Sequence, residues 1–235
     1  MGSIFRLKQF EVEQGNCAMR INTDGVLLGG LAWHASATHI LDIGTGTGVI
    51  AMMLAQRHPQ AVIDAVEIDA EACEQAATNF RGSRFADRLH VFQGSFVDLH
   101  PTKMYDLIVT SPPFYPHSLH NPDPRKRLAK HTDDLFFVEL LNFVQAYLSD
   151  TGHFECIVPT ALAETLVGTM LENRGLHLQS EWTIRSFPDE TPIRKLLRVG
   201  KAALKIERNE LSIYLCKGEY SERYKDILQP YFLAF

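Results

Sequence analysis

Residues 41–48 read L-D-I-G-T-G-T-G, and no other stretch limits the fold as tightly. A short apolar run, 39–43, leads into it and a helical pattern, 47–57, leads out. Gly44, Gly46 and Gly48 alternate with small threonines between the two. Glycines at a strand-to-helix turn allow positive φ and a close backbone approach to a ligand. The helix that follows aims free N–H groups and its positive dipole end at the same point. Such a turn belongs at the carboxyl edge of a parallel sheet, where it holds a small polar or anionic ligand.

The same alternation continues along the chain. Strand 61–67 precedes helix 70–80, and strand 88–92 runs into a turn, 93–98. Strand 105–110 is followed by a long loop, 111–131, then helix 134–148, strand 152–159 and helix 161–173, with later strands near 176–187 and 209–215. Near-continuous apolar strands between helices predict an α/β fold with a mostly parallel, seven-stranded sheet covered on both faces. At 235 residues the chain reads as one domain. Residues 1–34 form a cover segment, 35–219 the α/β core and 220–235 an aromatic-rich tail that packs back on the body. Within the cover, residues 5–21 alternate loosely, as a short hairpin or a cap over the sheet.

Charge and cysteine usage narrow the setting. The balance of 23 Lys+Arg against 28 Asp+Glu, net −5, argues against a wholesale polyanion binder and leaves room for a local basic patch. Cys17, Cys73, Cys156 and Cys216 form no C-x-x-C pair, which predicts free thiols. The start carries Arg6 and Lys8 without a continuous apolar core, and no run approaches the roughly 18 apolar residues of a membrane span. The expectation is a cytoplasmic monomer with no membrane partner and no metal.

Two acids choose the ligand. Glu67 closes the strand after Asp42 and suits the two hydroxyls of a ribose. The glycine spacing is G-x-G-x-G, whereas dinucleotide sites read G-x-G-x-x-G. Asp42 has the wrong charge for a pyrophosphate and the right one for a ligand carrying an amino group. S-adenosylmethionine has a sulfonium and an α-ammonium beside a ribose and an adenine. The pattern resembles the Rossmann-like class I S-adenosylmethionine-dependent methyltransferase fold. That resemblance implies a methionine site at Gly44, Thr45, Gly46 and Gly48, a ribose site at Glu67 with Ile68 beside it, and an adenine site at Ser95 and Phe96. Upstream, Thr23 and Asp24 read as helix-cap residues that line the ligand pocket.

Ser111-Pro112-Pro113-Phe114 marks the acceptor side. Prolines fix the backbone and present their carbonyls rigidly. An exocyclic amino nitrogen is a poor nucleophile because its lone pair is conjugated with the ring. The Ser111 side chain and the Pro112 carbonyl can accept both of its hydrogens, which frees the lone pair for the methyl group. Phe114 stacks on the base. Alignment of nitrogen and methyl supplies most of the rate. The loop that follows holds Arg125, Lys126, Arg127, Lys130 and His131, and a second basic run holds Arg194, Lys195, Arg198, Lys201 and Lys205; both suit phosphates. His117 and His120 near Asp123 have the look of metal ligands but are read as none.

This constellation resembles the N-P-P-Y/F motif of amino-group methyltransferases. The ordered set R-I-N-T-D-G-V-L-L-G, L-D-I-G-T-G-T-G, S-P-P-F and A-K-H resembles the bacterial tRNA1(Val) adenine-N6 methyltransferase family, which modifies adenosine 37 beside the anticodon. The implied partner is tRNA. One position departs from the family pattern: Ser111 stands where Asn is usual, and S-P-P-Y/F also occurs in cytosine-N4 methyltransferases. Three alternatives stand beside this reading: a glutamine-N5 methyltransferase of release factors, a ribosomal RNA guanine-N2 methyltransferase, and a binding module that holds S-adenosylmethionine or RNA without turnover.

Overall fold

The computed structural model describes residues 4–15, 17, 19–112 and 124–235, with 124–134 and 172 described by backbone alone. The chain opens with an antiparallel hairpin, β1 (Ile4–Arg6) and β2 (Glu11–Glu13), followed by α1 (Thr23–Leu31). The alternating core follows: β3 (His39–Ile43), α2 (Val49–Arg57), β4 (Val62–Glu67), α3 (Ala70–Gly82), β5 (Leu89–Gln93), β6 (Tyr105–Thr110), α4 (Pro124–Tyr147) and β7 (Leu148–Pro159). Then come α5 (Thr160–Thr165), β8 (His177–Arg185), β9 (Arg194–Gly200) and β10 (Glu207–Ser212). A small hairpin, β11 (Tyr214–Cys216) and β12 (Glu219–Tyr220), and a last helix, α6 (Glu222–Leu228), complete the order.

The main sheet runs β10-β8-β9-β7-β6-β3-β4-β5. Its strands sort their side chains by period two. On β3, Ile40 faces a layer with Leu27, Leu54 and Ala76, while Leu41 and Ile43 face a layer with Leu140, Leu141 and Val144. On β6, Leu107 and Val109 join the first layer and Ile108 the second. Helices α1, α2 and α3 cover one face and α4 and α5 the other, as near-continuous apolar strands require.

The sheet has eight strands where seven were expected. The missed strand is β9, whose lysines and arginines read as surface charge. Between those charges Leu196, Leu197 and Val199 are buried, and it is this interleaving that makes a strand of the basic run. It runs antiparallel to both β7 and β8, and β10 is parallel to β8, so the other seven strands share one direction and gather their carboxyl ends at one edge. A second correction concerns the loop assigned to 111–131. Helix α4 begins at Pro124, so Arg125, Lys126, Arg127, Lys130 and His131 lie on helical backbone. The tail packs back as expected: Tyr224, Leu228 and Tyr231 are buried, and Lys8 Nζ donates to the carbonyls of Gln229 at 2.6 Å and Phe235 at 2.9 Å. Among the described residues no helix is long and apolar enough to cross a membrane.

Candidate functional site

The site grows from the carboxyl end of β3. Gly44, Gly46 and Gly48 all take positive φ, at 72°, 53° and 83°, a conformation costly to any residue with a Cβ. The Gly44 and Thr45 amides both donate to Val66 O, and Gly48 N–H donates to Thr45 O. A Cβ added at Gly44 or Gly46 would meet nothing within 4 Å, whereas one at Gly48 would stand 2.5 Å from Cε1 of Phe80. Gly48 is therefore demanded by packing below the turn, and Gly44 and Gly46 border open space above it. Gly48 also caps α2, which begins at Val49, two residues later than its periodicity suggested.

Asp42 is fully buried on β3. Its Oδ2 accepts from the Thr45 hydroxyl at 2.6 Å, while Oδ1 has no protein partner. Burial pushes the carboxyl up to about 7; the Thr45 hydroxyl and the Ala51 amide hold it lower, and the charge of Glu67 adds to the rise. A buried carboxylate with an unmatched oxygen suits a cationic or donor-rich ligand.

Glu67, at the end of β4, is buried to 9% exposure. Its Oε2 accepts from Gly46 N–H at 2.8 Å and its Oε1 from Asp69 N–H at 3.0 Å. It thus fixes the glycine turn to the start of α3. A carboxylate offers about four lone-pair sites, so each oxygen keeps capacity for a hydroxyl. Ile68 beside it is 72% exposed, an apolar surface available to a planar ring. Gly94 N–H donates to Glu67 O and brings the end of β5 alongside. There Ser95 caps a short 3-10 turn by accepting from Val97 N–H. The Phe96 ring is buried edge-on against Phe136 and Phe143 of α4.

The acceptor side leaves β6 directly beside β3. Thr110 pairs with Ile43, and the Thr110 hydroxyl donates to Ile43 O at 2.9 Å. Ser111 and Pro112 therefore leave the sheet next to Gly44. Pro113 and Phe114 lie outside the described residues, as do His117, His120 and Asp123 and the side chains of Arg125, Lys126, Arg127, Lys130 and His131.

The cover segment meets the same edge. Asn22, not Thr23 or Asp24, caps α1, by accepting from Gly25 N–H at 2.9 Å; Thr23 and Asp24 form the first turn. The Asp24 carboxylate pairs with Arg194 Nε at 2.7 Å, which ties the first turn of α1 to the start of β9. Lys195 pairs with Glu181, Arg198 with Glu155 and Lys201 with Asp150. The second basic run is thus largely matched by carboxylates, and its geometry lends no weight to a phosphate stripe. Cys17 comes close to Glu67: burial first, then the charges of Glu67 and Asp69, push its thiol up to about 11. Sequence reading missed Asn79 and Phe80, which lie under the glycine turn. Their signal was a pair of side-chain amides, Gln75 and Asn79, one turn apart on the stripe of Ala72, Cys73, Ala76 and Phe80.

Known proteins are similar to this chain in sequence and in fold. Residues 23–137 match the family described as methyltransferase small domain. The tRNA1(Val) (adenine(37)-N6)-methyltransferase of Pedobacter heparinus is 46% identical over 235 residues, covering all of both chains. The protein of the same name from Parabacteroides distasonis is 38% identical over 97% of each chain. Among solved structures, a predicted O-methyltransferase from Agrobacterium tumefaciens superimposes with a TM-score of 0.66 at 17% identity, over 88% of this chain and 96% of that one. At that identity the likeness speaks for the fold alone.

Proposed function

The chain belongs to the tRNA1(Val) (adenine(37)-N6)-methyltransferase family, and from that premise we propose which residues carry the reaction. The protein transfers a methyl group from S-adenosylmethionine to the N6 amino group of adenosine 37 in tRNA. S-adenosylmethionine supplies the methyl group, activated by its sulfonium charge. The open space over Gly44 and Gly46, with Asp42 Oδ1 unmatched beneath, fits its methionine part. Glu67 accepts from the ribose hydroxyls, and Ile68 covers the adenine ring.

One observation carries the acceptor assignment: the β3–β6 pairing sets Thr110 against Ile43, so Ser111-Pro112 and the glycine turn leave the sheet side by side. The Ser111 side chain and the Pro112 carbonyl accept the two amino hydrogens of the target base. The nitrogen lone pair then points across the gap to the methyl-bearing side. The methylated ammonium is strongly acidic and loses its proton without a dedicated base. To Phe114, next in the motif, we assign stacking on the base. The basic residues from Arg125 to His131, close after the motif, meet the phosphates of the anticodon arm, and this substrate sets the work in the cytoplasm.

Paired tRNA1(Val) transcripts test this reading. A transcript with adenosine at position 37 is expected to take up methyl label, and one with guanosine there is expected to take up none. Equal labelling of both would contradict the assignment of the target base.

A further inference from the structure

Asn79 is a buried amide on the apolar stripe of α3, one residue before the Phe80 ring that fills the space beneath Gly48. All of its strong donor capacity is used. Nδ2 donates to Thr47 O at 2.8 Å and to Glu13 O at 2.9 Å, and Oδ1 accepts from Glu13 N–H at 2.9 Å. Thr47 stands between Gly46 and Gly48 in the turn. Glu13 is the last residue of β2, so one side chain grips both backbone groups of the cover strand and a carbonyl of the glycine turn.

The route continues from there. Gln14 Oε1 accepts from Ile21 N–H at 2.8 Å, which closes the excursion between β2 and α1. Asn22 then caps α1, and Thr23 and Asp24 form its first turn. Asn79 thereby stands at the junction of the cover segment and the glycine turn.

We propose that Asn79 is a positioning residue that locks the glycine turn to the N-terminal cover, so that both respond to S-adenosylmethionine as one unit. Asn79 touches neither substrate. It acts by holding Thr47 O, and with it the orientation of the turn, and by holding β2. An amide is required because two N–H groups must face two carbonyls. A carboxylate of the same shape would set lone pairs against both. The inference rests on the cofactor site described above and goes beyond it.

The Asn79→Asp variant of the full chain tests it, with S-adenosylmethionine titrated calorimetrically and steady-state kinetics on tRNA. The Kd and KM for S-adenosylmethionine are expected to rise ~10- to 100-fold, the scale of a buried hydrogen bond turned repulsive. At saturating cofactor, kcat and the KM for tRNA are expected to stay within about threefold, since Asn79 acts on neither the base nor the RNA. A variant that is merely less heat-stable, with wild-type Kd and KM, would overturn the proposal. Should that variant fail to fold, hydrogen exchange on the wild-type protein decides. Added S-adenosylmethionine is expected to slow exchange at the amides of Glu13 and Ile21; unchanged exchange at both, with cofactor bound, would overturn it. A wild-type protein that bound no S-adenosylmethionine would overturn the cofactor reading as well, whereas wild-type binding with an unaffected variant overturns this inference alone.

Discussion

At the scale of single residues, Asp42 sets stability against function. Its carboxyl titrates near 7, above its ordinary value, because it is buried with one oxygen unmatched. A raised carboxyl pKa means the folded chain holds the proton more tightly than the unfolded chain. Stability from this group is therefore full below about pH 4 and falls as pH rises toward 7, by up to about 1.4 kcal/mol for each pH unit. Asp42→Asn is expected to raise the Tm of the cofactor-free protein more at pH 8 than at pH 5, and to weaken S-adenosylmethionine binding at both. Wild-type affinity for the cofactor is expected to strengthen from pH 6 to pH 8 as the carboxylate forms. Thermal scans and calorimetry at the three pH values check both signs. Ser111 gives a second residue-level prediction. Ser111→Asn presents a longer carbonyl acceptor to the amino group and is expected to retain or raise kcat, while Ser111→Ala removes an acceptor and is expected to lower kcat by ~10-fold or more. Loss of turnover in Ser111→Asn would remove Ser111 from the acceptor role.

At the scale of elements, the glycine turn separates what folding needs from what binding needs. Gly48→Ala meets Phe80 as well as an unfavourable φ, so it is expected to cost roughly 2–4 kcal/mol of stability. Gly44→Ala bears only the backbone cost, about 1–2 kcal/mol, and intrudes on the open space above the turn. Denaturant melts are expected to rank Gly48→Ala as the less stable, and cofactor titration is expected to show the larger loss for Gly44→Ala relative to its stability. These elements were legible because a strand, a glycine turn and a helix each leave a local pattern, and Asp42 and Glu67 sit at strand ends that the pattern locates. β9 was not, because its charges mask the buried Leu196, Leu197 and Val199. The packing of Phe96 was not, because its partners Phe136 and Phe143 come from a helix far along the chain. Asn79 was not, because its role depends on β2 and the glycine turn meeting across 66 and 32 positions of chain.

At the scale of the molecule, the seven like-directed strands bring Asp42, Glu67, Ser95 and Ser111 to one edge, and the cover brings Asn22, Asp24 and Cys17 to the same place. The far ends of the chain are tied together too, with Leu7 bridging to Phe232 and Lys8 holding the tail. Ser111-Pro112 and the turn at Gly44–Gly48 thus leave one edge of the sheet side by side, the closeness that the proposed methyl transfer between them requires. The most direct measurement is methyl transfer from labelled S-adenosylmethionine to tRNA lacking this modification, followed by nucleoside analysis. The label is expected in N6-methyladenosine. Label in a different nucleoside, or in none despite measured cofactor binding, would contradict the account.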